Sequence, residues 1–136
     1  MPQGMRVQGA RMRVLIVDDE VEFLELMEKR LSRRGLEVVT ASDGQSALQQ
    51  VEASMTANTP FKVVVMDVRM PGMDGLETLR NMKKLAPQVP VILLTGHAAV
   101  GVAMEGLELG AFDYMLKPVP IGELIVKMEE ATKSAE

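Results

Sequence analysis

The chain has 136 residues, of which 47% are hydrophobic and 25% charged, and its formal net charge is −4 at pH 7. This length is enough for one domain with a single core, and the negative balance gives no general attraction for nucleic acid or an anionic membrane. With no cysteine and only one histidine, disulfide and thiolate chemistry are excluded and zinc is disfavoured. No apolar run has the length of a membrane span and no signal-peptide pattern opens the chain, so we expect a cytoplasmic protein.

The first predicted elements are two strands on either side of a helix. Residues 1–12 have no periodicity and are expected to form a loose tail. Short apolar runs then predict strands at 13–17 and 37–41. Between them, apolar residues recur at helical spacing from Val21 onward, until Gly35 stops the helix.

The central part of the chain predicts a second helix, a buried strand and a third helix. Ser42 or Asp43 suits the N-cap of the second helix, and the small and polar residues 53–60 are expected to form a loop. Three valines and a methionine then lead to Asp67, which predicts a strand buried on both faces that ends on an acid. Asp74 is the expected cap of the third helix.

The last part of the chain continues the alternation. Strands are predicted at 90–94 and 112–116, a weak helix at 97–109 and an amphipathic helix at 121–133. The chain therefore alternates five predicted strands with five predicted helices. This pattern indicates an α/β fold with a doubly wound parallel sheet, in which right-handed crossovers place helices on both faces.

Polar side chains follow four of the five predicted strands. Asp18 and Asp19 follow the first strand, Asp67 ends the third, and Thr95 and Lys117 follow the fourth and fifth. The carboxyl ends of parallel strands share one edge of the sheet, so these side chains are expected to converge there. Each of them alone is more often structural than functional, but their joint placement favours a functional site.

A cluster of carboxylates needs a cation to offset its repulsion. Ligands that are all oxygen favour a hard ion, and a site with few carboxylates and room for water suits Mg²⁺. The metal, Lys117 and the Thr95 hydroxyl around Asp67 are the parts required for phosphoryl transfer onto a carboxylate.

The chain also resembles the receiver domains of bacterial two-component response regulators, the CheY-like family, from about residue 13 to residue 133. The resemblance is carried by four motifs: VDDE at 17–20, MDVRMPGMDG at 66–75, LTG at 94–96 and GAFDYMLKP at 110–118. It implies a flavodoxin-like fold with strand order 2-1-3-4-5. It also implies a receiver domain at 13–133 and, within this chain, no output domain.

The resemblance assigns roles to the residues of the cluster. Asp67 is expected to accept a phosphoryl group from a sensor histidine kinase or a phosphotransfer protein. Asp19 and Asp67 are expected to ligate Mg²⁺ directly together with the backbone carbonyl of Arg69, and Asp18 to do so through water. Such a domain transfers the phosphoryl group to itself and loses it slowly, without a separate substrate to turn over.

The resemblance further implies a switch and an output face. Thr95 and Tyr114 match the switch pair of the family, and Lys117-Pro118 matches its lysine followed by a cis proline. Tyr114 is equally compatible with a half-buried strand residue that does not move. The helix after Thr95, the fifth strand and the last helix are expected to bind a downstream target or a second receiver.

Two other classes of function remain open at this point. A Mg²⁺-dependent phosphatase with an aspartyl-phosphate intermediate would carry a second acid two residues beyond Asp67, where this chain has Arg69. A degenerate receiver that only binds a partner would be expected to lack part of the cluster, yet all the acids, the threonine and the lysine are present. Whether the receiver stands alone or is part of a longer regulator is left open.

Overall fold

The computed structural model describes residues 12–70 and 74–135. Its elements follow one another as β1 (Arg13–Val17), α1 (Val21–Ser32), β2 (Glu37–Ala41), α2 (Gly44–Thr56), β3 (Val63–Asp67), α3 (Gly75–Leu85), β4 (Val91–Thr95), a 3-10 turn (His97–Ala99), α4 (Val100–Glu108), β5 (Asp113–Leu116) and α5 (Ile121–Ser134). Over these described residues, none of the helices combines the length and the apolar character needed to cross a membrane.

The strands form one parallel sheet in the order β2-β1-β3-β4-β5. The predicted α/β, doubly wound, flavodoxin-like architecture is therefore confirmed. The order places β1 and β3 side by side in the middle of the sheet and leaves β5 at one edge, where α4 and α5 flank it. The first topological switch point lies between β1 and β3, the place where open α/β sheets bind their ligands.

The central strand β3 is buried on both of its faces, as its continuous apolar sequence predicts. Val64 and Met66 pack into one core cluster with side chains of α2, α3 and α4. Val63 and Val65 point the other way, into a cluster with α1 and α5. Both faces of the sheet are thus covered, and Asp67 is the last residue of this buried strand.

The predicted loop at 53–60 is wrong in its first half, because α2 continues to Thr56. Ser54 is buried and its hydroxyl donates to the Val51 carbonyl, while the Thr56 hydroxyl donates to the Glu52 carbonyl. These side-chain hydrogen bonds let small polar residues continue a helix within its own turns. The helix ends where Asn58 adopts a positive φ of 62°.

Other boundaries differ from their predictions by one residue or by one turn. Strand β4 includes Thr95, and β5 begins one residue later than predicted, at Asp113. The predicted helix at 97–109 is divided into a 3-10 turn and the nine-residue α4. The predicted loose tail at 1–12 lies, except for Met12, outside the described residues.

Candidate functional site

The parallel register brings the polar strand ends to one edge of the sheet. Val17, the last residue of β1, pairs with Met66 of β3, and Asp67 pairs with Leu94 of β4. Thr95 pairs in turn with Leu116, the residue before Lys117. The predicted convergence of side chains from four strands is therefore present in the structure.

Three carboxylates meet at this edge. Asp18, Asp19 and Asp67 each offer an oxygen atom, and the three atoms lie within 4.8 Å of one another. The Asp18 side chain is fully buried, and that of Asp67 is 13% exposed. The acid that ends β3 is therefore largely buried, and Asp19 is the member of the cluster that faces solvent.

Backbone turns fix the orientation of the two buried acids. Oδ1 of Asp18 accepts a hydrogen bond of 2.9 Å from the Glu20 N–H, and Oδ1 of Asp67 accepts one of 2.9 Å from the Arg69 N–H. In both cases the side chain bonds the backbone two residues on, which is a turn that aspartate readily forms. One oxygen of each carboxylate is thereby occupied, and Oδ2 is directed at the Lys117 ammonium.

The loop after Asp67 is also held by a close backbone approach. A Cβ atom at Gly75, the first residue of α3, would lie 2.3 Å from the carbonyl oxygen of Val68. Only glycine fits this contact without displacing the backbone. The start of α3 therefore packs directly onto the loop that carries Arg69, whose side chain is exposed and whose carbonyl was predicted to be a metal ligand.

Lys117 is the cation of the site. Its ammonium donates to Asp18 Oδ2 at 2.5 Å and to Asp67 Oδ2 at 3.1 Å. A third and longer contact of 3.4 Å reaches Glu20 Oε1. The same Nζ atom lies 4.4 Å from the centroid of the Phe23 ring. The lysine thus bridges the two buried acids, and the peptide bond between Lys117 and Pro118 is cis.

The environment changes the pKa of two of these groups. Burial raises the pKa of the Asp18 carboxyl above its ordinary value, although the hydrogen bonds from Lys117 and from the Glu20 N–H oppose this. Burial alone would lower the pKa of Lys117, but its hydrogen bonds and charge interactions with Asp18 and Asp67 outweigh burial and raise it. Lys117 is therefore a cation at neutral pH.

The donor set of this edge fits a hard divalent cation. The converging atoms are carboxylate oxygens, with one exposed acid to admit water, and this is the coordination that Mg²⁺ prefers. Among the described residues, this is the group of acids with a geometry that could hold a metal ion. Asp18, Asp19 and Asp67 are the side chains that would hold it.

The two predicted switch residues, Thr95 and Tyr114, lie outside the hydrogen bonds of this cluster. Thr95 is fully buried, and its hydroxyl donates to the Gly96 carbonyl at 3.0 Å. Tyr114 is half-buried and packs, with Val102 and Leu109, against the core cluster under α4. His97 is exposed at the start of the 3-10 turn.

Two residues of the site were not assigned to it from the sequence. Phe23 belongs to the run of apolar residues at helical spacing that predicts α1, and Glu20 belongs to the VDDE motif but was given no role. Their contacts with Lys117 span more than ninety positions of the sequence. The only local signal is the position of both residues in the segment directly after β1.

The comparison with known families decides the classification. Residues 14–129 match the family model of the response regulator receiver domain. The chain belongs to this family. It is therefore a receiver domain of the two-component type, a signalling domain, as its four motifs indicated.

Receiver domains of several bacteria are similar in sequence and structure to this chain. The transcriptional regulatory protein ZraR of Klebsiella oxytoca is 34% identical over 125 residues, which cover 92% of this chain and 27% of that protein. The regulatory protein AtoC of Escherichia coli is 39% identical over 119 residues, 88% of this chain and 25% of that protein. The chain thus spans about a quarter of the length of these curated relatives.

The solved structures agree with the fold. A receiver domain protein from Clostridium thermocellum superposes with a TM-score of 0.81 and 33% identity, over 90% of this receiver and 94% of that chain. The receiver domain of NtrX from Brucella abortus gives a TM-score of 0.78 and 35% identity, over 89% and 98% of the two chains.

Proposed function

We propose that Asp67 is the phosphoacceptor of this receiver and takes its phosphoryl group from the phosphohistidine of a sensor histidine kinase or a phosphotransfer protein. The observation that carries this proposal is the position of Asp67 at the end of the central strand, between the Lys117 ammonium at 3.1 Å and two further carboxylates. Such a constellation supplies a nucleophile, a cation site and a donor for phosphoryl oxygens in one place.

The chemical step requires one new bond. A carboxylate oxygen of Asp67 bonds to phosphorus while the bond between phosphorus and the histidine ring nitrogen breaks, and that nitrogen keeps the electron pair. Oδ1 is held by the Arg69 N–H, and this bond fixes the orientation of the nucleophile. Lys117 then donates a hydrogen bond to a phosphoryl oxygen in place of Asp67 Oδ2.

Asp19, Asp67 and the Arg69 carbonyl would hold Mg²⁺ directly, and Asp18 would hold it through water; the bound ion would supply positive charge that offsets the phosphoryl oxygens. The contribution of the chain is to hold its acids within 4.8 Å of one another, which is costly without a compensating cation. Lys117 satisfies that need in part through its contacts with Asp18 and Asp67.

Thr95 is proposed to transmit the change in charge at Asp67. Its hydroxyl has a backbone partner in Gly96, and a phosphoryl oxygen is a stronger acceptor than a neutral carbonyl. Exchange of one acceptor for the other would pull the segment that follows β4 toward the site. Tyr114, which packs against the cluster under α4, would then repack as the second member of the switch.

The output face is proposed to be formed by α4, β5 and α5. Large apolar side chains are exposed on each of these elements: Met104 and Leu107 on α4, Leu116 at the end of β5, and Val126 on α5. A cleft between β5 and α5 is lined by Met115, Pro120, Gly122, Glu123, Val126, Lys127 and Glu130. A downstream target or a second receiver is the proposed partner, and the cytoplasm is the proposed location.

The phosphatase alternative receives no support from the residue at the required position. Arg69 has an exposed side chain that is a permanent cation, and it is unable to protonate a leaving group as a carboxylic acid does. A receiver that only binds partners is disfavoured by the retained cluster, in which Lys117 bridges two acids.

The test is phosphorylation by a small donor. Incubation with Mg²⁺ and acetyl phosphate is expected to add one acid-labile phosphoryl group to the unchanged protein and none to Asp67→Ala. Asp113→Ala is the matched control, because Asp113 is an aspartate at the opposite end of a strand and pairs with Lys127 instead. Equal uptake by the unchanged protein and Asp67→Ala would refute the assignment.

A further inference from the structure

Phe23 makes a contact that its place in the apolar stripe of α1 does not require. It is the third residue of α1, is half-buried and packs against the core cluster under α1 and α5. Its ring also lies below the Lys117 ammonium, with Nζ 4.4 Å from the ring centroid. This distance is within the range in which an aromatic face attracts a cation.

The ammonium of a lysine needs such positioning more than most charged groups do. It is a point charge on a flexible four-carbon stem, so several carboxylates compete for it. Here Asp18 and Asp67 lie at 2.5 and 3.1 Å and Glu20 at 3.4 Å. The Glu20 side chain is 67% exposed and would draw the ammonium outward, whereas the half-buried Phe23 ring attracts it 4.4 Å from the ring centroid.

We propose that Phe23 is a positioning residue for Lys117, whose aromatic face holds the ammonium beside Asp67 so that it meets the phosphoryl group as that group is transferred. The proposal rests on the proposed function of Asp67. An aliphatic side chain of similar size fills the same space in the core but has no negative face to hold a cation.

Two substitutions at Phe23 distinguish the effect of the aromatic face from the effect of filling space in the core. Phe23→Tyr keeps the aromatic face, and Phe23→Leu keeps an apolar side chain at the same position of α1. Phe112→Leu is the control for lost packing, because Phe112 is also half-buried against the same cluster. Within the described residues, Phe112 has no cation over its ring.

The first readout is spectroscopic and needs neither metal nor phosphate. In the unchanged protein and in Phe23→Tyr, the ε-methylene protons of Lys117 are expected to be shifted upfield in NMR spectra by the ring current of the aromatic side chain. In Phe23→Leu this shift is expected to vanish, and in Phe112→Leu it is expected to remain. Persistence of the shift in Phe23→Leu would overturn the contact on which the inference rests.

The second readout is the rate of phosphorylation by acetyl phosphate at saturating Mg²⁺. Phe23→Leu is expected to lower the maximal rate about threefold to tenfold, the effect of losing one cation–π contact, with the Mg²⁺ dissociation constant unchanged. Phe23→Tyr and Phe112→Leu are expected to keep the unchanged rate. Equal slowing in Phe23→Leu and Phe112→Leu, or no slowing in Phe23→Leu, would overturn the inference. No uptake by the unchanged protein would instead refute the proposed function.

Discussion

Asp18 and Asp67 are held in the same way, although 49 positions separate them in the sequence. One oxygen of each accepts the N–H of the residue two positions on, and the other accepts a hydrogen bond from Lys117. The equivalence follows from the parallel pairing of β1 with β3, in which both strands end at the same edge. A second cation at this edge would compete with the ammonium for both acids.

Asp19→Asn is expected to weaken Mg²⁺ binding by at least about tenfold, or about 1.4 kcal/mol, and to leave the fold intact. Asp19 is the exposed acid of the cluster, so its carboxylate is the one most available to a metal ion that enters from solvent. Calorimetric titration with Mg²⁺ measures the effect. Glu22→Gln, a change of the same charge on the exposed first turn of α1, is the control and should leave the affinity unchanged. An unchanged affinity in Asp19→Asn would remove this residue from the ligand set.

Lys117→Met is expected to make the stability of the domain depend on Mg²⁺. Removal of the ammonium leaves two largely buried carboxylates without their cation, a change that costs on the order of 1–3 kcal/mol in a partly buried site. Urea unfolding without metal should show this loss, and saturating Mg²⁺ should reverse most of it. The double change with Asp18→Asn should also recover stability, because it removes one of the two repelling charges. A loss that neither treatment reverses would point to packing instead.

Asp18→Asn is expected to gain stability relative to the unchanged protein as the pH rises. Burial raises the folded-state pKa of Asp18, so the folded protein holds this proton more tightly than the unfolded chain does. The stability gained from the protonated carboxyl is fully present below the ordinary pKa of 3.8 and is lost as the pH rises through the folded-state pKa. Asparagine does not titrate and keeps an oxygen for the Glu20 N–H. Urea unfolding in the absence of metal, from below pH 3.8 to neutrality, measures the difference.

Asp43→Asn is an internal control, because its stability relative to the unchanged protein is expected to change with pH in the direction opposite to that of Asp18→Asn. Asp43 caps α2, and the hydrogen bond from the Ser46 N–H lowers the pKa of its carboxyl. The stability that the ionised Asp43 carboxylate gives the folded state is therefore present above the ordinary pKa of 3.8 and is lost as the pH falls through the lower folded-state pKa. The difference between the unchanged protein and Asp43→Asn should shrink toward acid. The same direction of change for both substitutions would contradict the assignment for Asp18.

The fold and the cluster could be predicted from the sequence because both depend on strand ends. A buried strand is visible as an apolar run, and parallel strands place their last residues at one edge, so Asp18, Asp67 and Lys117 were predicted to converge. The contact of Phe23 with Lys117 could not be predicted, because apolar periodicity places Phe23 in the core and says nothing about which charge approaches its ring. The end of α2 was missed because Ser54 and Thr56 bond within the helix, whereas their residue types favour a loop.

Two glycines of α4 are expected to respond to alanine in opposite directions. A Cβ atom at Gly106 would lie 2.3 Å from Cδ1 of the buried Leu93, so Gly106→Ala is expected to destabilise the domain by about 1–2 kcal/mol. A Cβ atom at the exposed Gly101 would meet no atom within 4 Å, so Gly101→Ala is expected to stabilise it by about 0.5–1 kcal/mol. Thermal and urea unfolding measure both. Stabilisation by both substitutions would show that α4 is free to move away from β4.

Phosphorylation is expected to change hydrogen exchange in α4, in β5 and on the neighbouring side of α5. Helix α4 is held weakly, because its buried residues Ala103 and Gly106 are small, whereas α3 buries Leu76, Leu79 and Met82. Burial of small side chains contributes less to stability, at about 25 cal/mol for each Å² of apolar surface. The proposed movement of Thr95 toward the phosphoryl group would therefore act on a weakly held helix. Exchange in the presence of Mg²⁺, with and without beryllofluoride as the phosphoryl mimic, is the measurement.

Asp67→Ala treated with the same reagents is the control, and its exchange should not respond to beryllofluoride. Changed protection in the unchanged protein between residues 97 and 127 would support the output face of α4, β5 and α5. Changes confined to the loops around Asp67 would place the output elsewhere. Gly101→Ala provides a second comparison. The added helix propensity should slow hydrogen exchange in α4 before beryllofluoride is added, so the further slowing on beryllofluoride binding should be smaller than in the unchanged protein. An equal response with and without this substitution would show that the propensity of α4 has no part in the switch.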